Sequence, residues 1–493
     1  TGISSANAQE VIFDDVINEN GFHLLNSRSD GLNISFNVKN FSMHEEDING
    51  EYLKTINLPG CMLQNDEGAP NLPGDGRYIA IPEGATVDFR ITSSEKVVYH
   101  NIDVAPAPVL PLITDEPPLV YQKNQDIYSK DAYYPEQIVK TSEITEIRGV
   151  DAVILGVSPF QYNPVSKTLI VYKNIEIELS FRGGSGYFGE DRYRSKWWDP
   201  MLADIFINAT SLPEVDYQEN LRSNSRDQDF EYVIITPDNA SFVFWADSLK
   251  KWRCEQGIRT GVFKLSDIGG NSSGAIEGFI NDAYNNWNIP PSAVLLLADY
   301  GNSGDNVITS PIWNNYCVSD NIYADVDGND LPEVALARIT AQNSGELETM
   351  IGKMMDYEVL PPSDPDFYDH PVSSGGWQSD RWFILCADIC YGFWENGLNK
   401  NPIREYAGYS GGAPSSWSTN SNTSQVVNYF GPSGLNYIPS TPSHLTDWGG
   451  NATRINADLN AGAFMILHRD HGATSGWESP HYYTSNLSGL NEN

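Results

Sequence analysis

The chain has 493 residues, and at about 100–200 residues per domain that length excludes a small disulfide scaffold and implies several domains. Sixty-five acidic residues against 30 basic ones give a formal charge of −35, with 12% aromatic and only 19% charged residues. Acidic chains that stay disordered are poor in aromatic and β-branched residues, so this composition describes a folded protein. With no run of Lys and Arg, the net charge repels a polyanion such as nucleic acid. No apolar stretch approaches the ~20 residues of a membrane span.

Near the start, Ala6-Asn7-Ala8 before Gln9 has the small-x-small form of a signal-peptidase site. With the acidic composition it predicts a secreted or cell-surface location. Short runs of β-branched and aromatic residues broken by Pro, Gly and Asn follow at 32–38, 78–81, 87–91, 96–102, 152–157 and 168–181. In the last of these, Leu169, Val171, Ile175, Ile177 and Leu179 fall mostly at every second place. That period, with turn residues between runs, predicts an all-β sandwich over 9–208. Residues 209–229 are polar and carry Arg222 and Arg226. They read as a linker with candidate activation cleavage sites at those two arginines.

From Phe230 the pattern changes to apolar strands alternating with helical periods. Strands are expected at 232–236, 259–264, 293–298, 334–339, 382–386 and 463–467, and helices at 242–256, 273–287, 344–357 and around 393–406. This alternation predicts an α/β domain with a mostly parallel sheet over 230–493. Ligands and chemistry collect at the carboxyl ends of such strands.

The densest candidate lies there. The run Leu467-His468-Arg469-Asp470-His471-Gly472 carries an apolar strand directly into two histidines, an acid and a glycine. A histidine titrates near neutrality and can take a proton from a nucleophile, and a following glycine lets the backbone N–H approach an oxyanion. The competing readings are a buried, hydrogen-bonded histidine, or zinc on His468, His471 and His481, for which no acidic or thiol ligand completes a familiar spacing. Asp325, Asp327, Asn329 and Glu333 gather oxygen donors around Gly328, as calcium requires, though Leu336 stands where an EF-hand would place a bidentate Glu. An Asp-Gly turn between strands is the alternative. The five cysteines, Cys61, Cys254, Cys317, Cys386 and Cys390, include no Cys-x-x-Cys and define neither a disulfide framework nor a zinc finger.

Taken together, several stretches resemble the gingipain-like cysteine peptidases of family C25. They are His471-Gly472 followed by Trp477, the opening strand Tyr232-Val-Ile-Ile-Thr-Pro-Asp238, the stretch from Ser319 to Asp330 continuing through Ile339, and upstream Gly68-Ala-Pro-Asn-Leu-Pro73 with Ile79 to Ala85. The resemblance spans nearly the whole chain. It implies a β-rich propeptide, a caspase-like α/β/α catalytic domain, a zymogen of a cysteine endopeptidase acting on protein or peptide substrates, and structural calcium but no organic cofactor. His471 would be the base or imidazolium partner of a thiolate, and the Gly472 amide part of the oxyanion hole. Asp388 would orient the imidazole, unless it is a helix cap or turn residue. Trp477 would line the primary pocket or pack the loop, and Glu395 would stand in for a substrate-binding acid or simply face solvent.

The resemblance also places the nucleophilic Cys after His471, whereas all five cysteines precede it. The expectation is a catalytic domain incomplete at its C-terminus, with the thiol beyond residue 493 or on a C-terminal fragment of the same precursor. Cys386 and Cys390, four residues apart, are weaker candidates and suit small buried hydrophobes. Two alternatives stay open: a sortase-like transpeptidase of the same family, and an inactive C25-like binding or surface protein.

Overall fold

The computed structural model describes residues 9–61, 63, 65–109, 120–217, 219, 229–420 and 423–491. Ala6-Asn7-Ala8, Arg222 and Arg226 lie outside the described residues.

The N-terminal part is built from antiparallel sheets, among them one that pairs Gly21–Arg28, Gly31–Asn37, Thr168–Gly183 and Phe160–Asn163, with Ala85–His100 also on Thr168–Gly183. The expected alternation is present: Leu169, Val171, Ile175, Ile177 and Leu179 are all buried, and they join Leu32, Ile34, Phe36, Val153, Leu155 and Val157 in one core. The strands expected at 87–91 and 96–102 are one continuous strand, Ala85–His100. Its middle, Thr92-Ser93-Ser94-Glu95-Lys96, is polar and exposed and reads as a break. Yet its backbone groups stay paired with Thr168–Gly183 across two bulges, and that pairing does not require apolar side chains.

The second part contains two parallel sheets. In the first, β1 (Tyr232–Thr236) lies between β2 (Thr260–Lys264) and β3 (Ala293–Leu297), and β4 (Ala335–Ile339) lies outside β3. Helices α1 (Ala240–Glu255), α2 (Ser273–Asn286) and α3 (Ser344–Val359) supply the crossovers. Each starts where a side-chain cap accepts an otherwise orphaned N–H: Asn239 from Ser241, Ser272 from Ala275 and Asn343 from Glu346. Val233, Ile234, Ile235, Val294, Leu296, Phe242, Leu249, Ile276 and Ile280 close the core between them.

In the second sheet, β5 (Val372–Gly376) lies between β6 (Ile403–Ala407) and β7 (Ile466–Arg469), covered by α4 (Phe383–Gly392), and α5 (Ala452–Gly462) leads into β7. Three expectations are corrected here. The run 382–386 begins α4 and is not a strand, because a short continuous apolar run has no period to separate a buried helix from a buried strand. The helical region around 393–406 is only the π-helical turn Phe393–Gly397, after which the chain enters β6. β5, Val-Ser-Ser-Gly-Gly, was not expected at all. All five of its residues are buried, and Ser373 Oγ donates to Ala387 O of α4 at 2.9 Å, so small residues let the helix approach the strand closely.

Candidate active site at the end of β7

β7 ends at Arg469, and the chain turns through Asp470, whose Oδ1 accepts the His471 N–H at 2.6 Å. A Cβ on Gly376, the last residue of β5, would run into Asp470 Oδ2 and Ser479, so the carboxylate is seated against the strand end by the absence of a side chain there. His471 and Gly472 are exposed. The His471 ring meets the edge of Phe383, the first residue of α4, at 5.2 Å between centroids and 88°.

Gly472–Ala473 pairs with Gly476–Trp477, which pairs in turn with Tyr482–Tyr483, and the Glu478 N–H donates to His471 O at 2.9 Å. Trp477 belongs to this small sheet and stacks on His468 at 4.4 Å and 14°. Burial holds the His468 ring below the ordinary imidazole range, partly offset by the backbone around Ser479. That histidine is a neutral prop for Trp477. His468, His471 and His481 do not gather as metal ligands, since His468 stacks on Trp477, His471 meets Phe383 and His481 stacks on Tyr483. The structure thus brings His471, Gly472 and Trp477 into one unit at the carboxyl end of a parallel strand, where an imidazole can exchange a proton with a group arriving from solvent.

Asp388 belongs to a different constellation. It sits inside α4, 1% exposed, and bonds Arg404 Nε at 2.6 Å, Tyr406 Oη at 3.1 Å and His444 Nε2 at 3.1 Å. Burial alone would raise its pKa, but the bonds from His444 and Arg404 outweigh it and hold the carboxyl below its ordinary range. Among the described residues it makes no hydrogen bond to His471. The orienting role expected for Asp388 is replaced by charge pairing across α4 and β6, with Arg404 lying 3.3 Å over the Tyr391 ring. Glu395 is exposed, within 3.5 Å of Tyr391 Oη.

Burial raises the Cys386 thiol, partly countered by Arg469, and raises Cys390, with Cys386 adding to the shift. A nucleophilic thiol needs the opposite.

In the loop before β4, several side-chain oxygens accept backbone N–H groups of the same turn. Asp325 accepts from Asn329 N and Asp330 N, Glu333 Oε2 from Val326 N and Asp327 N, and Asn329 Oδ1 from Leu331 N. Burial and Asp327 push Glu333 up to about 7. Among the described residues no group of three or more His, Cys, Asp or Glu side chains is placed to hold a metal ion. Of the expected calcium set of Asp325, Asp327, Asn329 and Glu333, the turn's own backbone N–H groups occupy Asp325, Asn329 Oδ1 and Glu333 Oε2, while Glu333 Oε1 is buried without a hydrogen-bond partner among the described residues.

The sequence pattern assigns Asp470 no role of its own, and it does not point to Phe383 or to Arg404 and His444 as the partners of Asp388. Arg404 and Tyr406 share one face of a strand, a period-two signal hidden by assigning this stretch to a helix.

The profile of Peptidase family C25 matches residues 225–493, more than half of the chain, and that of the C25 propeptide matches residues 16–186. The chain belongs to peptidase family C25. Among C25 relatives from Porphyromonas gingivalis, Lys-gingipain W83 is 23% identical over 465 residues, covering 92% of this chain and 24% of the relative. Gingipain R2 is 22% identical over 440 residues, covering 86% and 52%. The chain thus spans about a quarter to a half of the length of the curated relatives it matches. Among solved C25 structures, the complex of Porphyromonas gingivalis RgpB pro- and mature domains is 21% identical with a TM-score of 0.35, covering 39% of this chain and 100% of that one. The Arg-specific cysteine proteinase gingipain R is 17% identical with a TM-score of 0.40, covering 54% and 53%. The family is that of cysteine peptidases with an N-terminal propeptide, as the sequence motifs implied.

Proposed function

We propose that this chain is the propeptide and part of the catalytic domain of a secreted cysteine endopeptidase zymogen. The observation that carries the reading is an exposed His471-Gly472 pair at the carboxyl end of β7 in a C25 chain. A Cys encoded beyond residue 493 supplies the thiol. His471 takes its proton, the thiolate attacks the scissile carbonyl, and the Gly472 N–H helps stabilise the oxyanion. The amine leaves with the proton held by His471, and water resolves the acyl-enzyme. Trp477, fixed on His468, forms one wall of the substrate site. Secretion rests on Ala6-Asn7-Ala8 and the acidic composition.

In a chain extended past residue 493, His471→Ala is expected to leave the melting temperature unchanged and to lower hydrolysis of an unfolded protein substrate by at least about 100-fold. Turnover at the unsubstituted rate removes His471 from the mechanism.

A further inference from the structure

Arg148 occupies the tip of a hairpin between the strands Thr145–Ile147 and Val150–Val157 of the N-terminal part. Arg148 and Gly149 both have left-handed backbone, with φ of 49° and 74°, and a Cβ on Gly149 would collide with the Tyr193 ring. The turn projects the Arg148 side chain out of its own domain. It ends 1% exposed between Tyr193 and Trp198, which precede the 209–229 segment, and Tyr284, Pro291 and Glu333 of the peptidase part.

Its Nη1 donates to Pro291 O at 2.9 Å and to Glu333 O at 2.6 Å, and its Nε donates to Tyr193 O at 3.1 Å. The guanidinium lies 5.1 Å from both the Trp198 and Tyr284 ring centroids and 5.8 Å from that of Tyr193. All three hydrogen bonds end on main-chain carbonyls, with aromatic faces completing the enclosure. A planar fork can satisfy carbonyls on two segments and stack on rings at once, which an ammonium cannot do. Burial lowers Arg148 to about 10, so it stays charged at neutral pH. Arg192 donates to Tyr284 O and Trp287 O nearby, and Trp198 Nε1 to Ser292 O.

Pro291 and Ser292 immediately precede β3, and Glu333 lies two positions before the start of β4. The enclosure therefore sits at the amino ends of the first parallel sheet, away from the carboxyl ends of those strands. A second, separate contact joins Asn57 Nδ2 to Ser433 O at 2.8 Å.

We infer that Arg148 is the anchor that keeps the propeptide docked on the peptidase domain after the connecting segment is cut, in an association that withstands high salt. Salt screens exposed ion pairs, whereas this cation is enclosed by carbonyls and rings. Loss of the guanidinium strands two acceptors on the peptidase part, Pro291 O and Glu333 O, together with Tyr193 O on its own side, and empties the aromatic enclosure. The biological meaning rests on 209–229 being the activation segment. The association itself does not depend on peptidase activity.

The test cuts the folded full chain within 209–229 by limited trypsin digestion, identifies the fragments by mass, and follows their association by size-exclusion chromatography at about 0.15 M and about 1 M NaCl. The wild-type fragments are expected to co-elute at both. Fragments of Arg148→Ala and Arg148→Lys are expected to separate, with affinity reduced at least about 30-fold, whereas those of Asn57→Ala remain together. Co-elution of the Arg148→Ala and Arg148→Lys fragments as tightly as wild type overturns the inference. If the Arg148 variants do not fold, the nicked wild type decides alone: association weakened more than about tenfold by 1 M salt overturns it, and persistence supports it. Because trypsin makes the cut and association is the readout, an inactive peptidase leaves the test intact.

Discussion

Asp388 holds Arg404 and His444 through a carboxylate that is almost fully enclosed, so its removal leaves a positive charge without its partner inside the second sheet's core. Breaking such a pair from one side costs about 3 kcal/mol, and Asp388→Ala is expected to lose that much in urea unfolding. Activity per folded molecule in an extended chain should stay within a few-fold of wild type. A large drop in turnover at unchanged stability would return Asp388 to the catalytic machinery. Glu405 presents the opposite electrostatics. Burial, helped by Asp458 and opposed by Arg454, pushes it up to about 7 from an ordinary value of 4.5. The fold therefore favours the protonated acid: below about pH 4.5 the group is neutral in both states, between about 4.5 and 7 the unfolded chain ionises first and stability is lost as pH rises, and above about 7 the group is charged in both states. The melting temperature should fall across that window, and Glu405→Gln should flatten the fall. Equal slopes in the two proteins would refute the assignment.

Gly376 carries an element's function without a side chain. It terminates β5 where Asp470 and Ser479 close over it, and Asp470 in turn holds the backbone of His471. Gly376→Ala is expected to shift Asp470 and to lower turnover at least about tenfold while secondary structure by circular dichroism is preserved. Unaltered turnover would show that the β5 end does not position the site. The same strand explains where reading from sequence stops. β1 to β4 and their helices were legible because Val-Ile-Ile and Val-Leu-Leu-Leu runs, flanked by capping Asn and Ser, leave few alternatives. β5 is equally buried but is made of Ser and Gly, whose hydropathy says nothing of burial. Its function is to admit α4, which is a property of the partner and not of the strand. Without β5 in view, the apolar run 382–386 reads as a strand, whereas it opens the helix that carries Asp388 in its interior. His471 and Gly472 stayed legible because their signal, an apolar run ending in His-Gly, is local. Trp477 was legible as a candidate, although its stacking on His468 is a tertiary fact.

At the scale of the whole molecule, two parallel sheets share a propeptide that touches each of them, through Arg148 on the first side and Asn57 on the second. Activation by cutting at Arg222 or Arg226 is expected when an extended, full-length enzyme is incubated. Mass spectrometry should find new ends at those arginines together with a rise in hydrolysis, and an intact 209–229 segment in active enzyme would count against it. Cys254 and Cys317 are exposed and free, whereas Cys61 is buried and pushed up to about 12, chiefly by burial. Alkylating reagents used to titrate a nucleophilic sulfur would also label those two bystanders, inflating the apparent stoichiometry above one per chain. A Cys254→Ser, Cys317→Ser background would let isotope incorporation report the reactive thiol by itself.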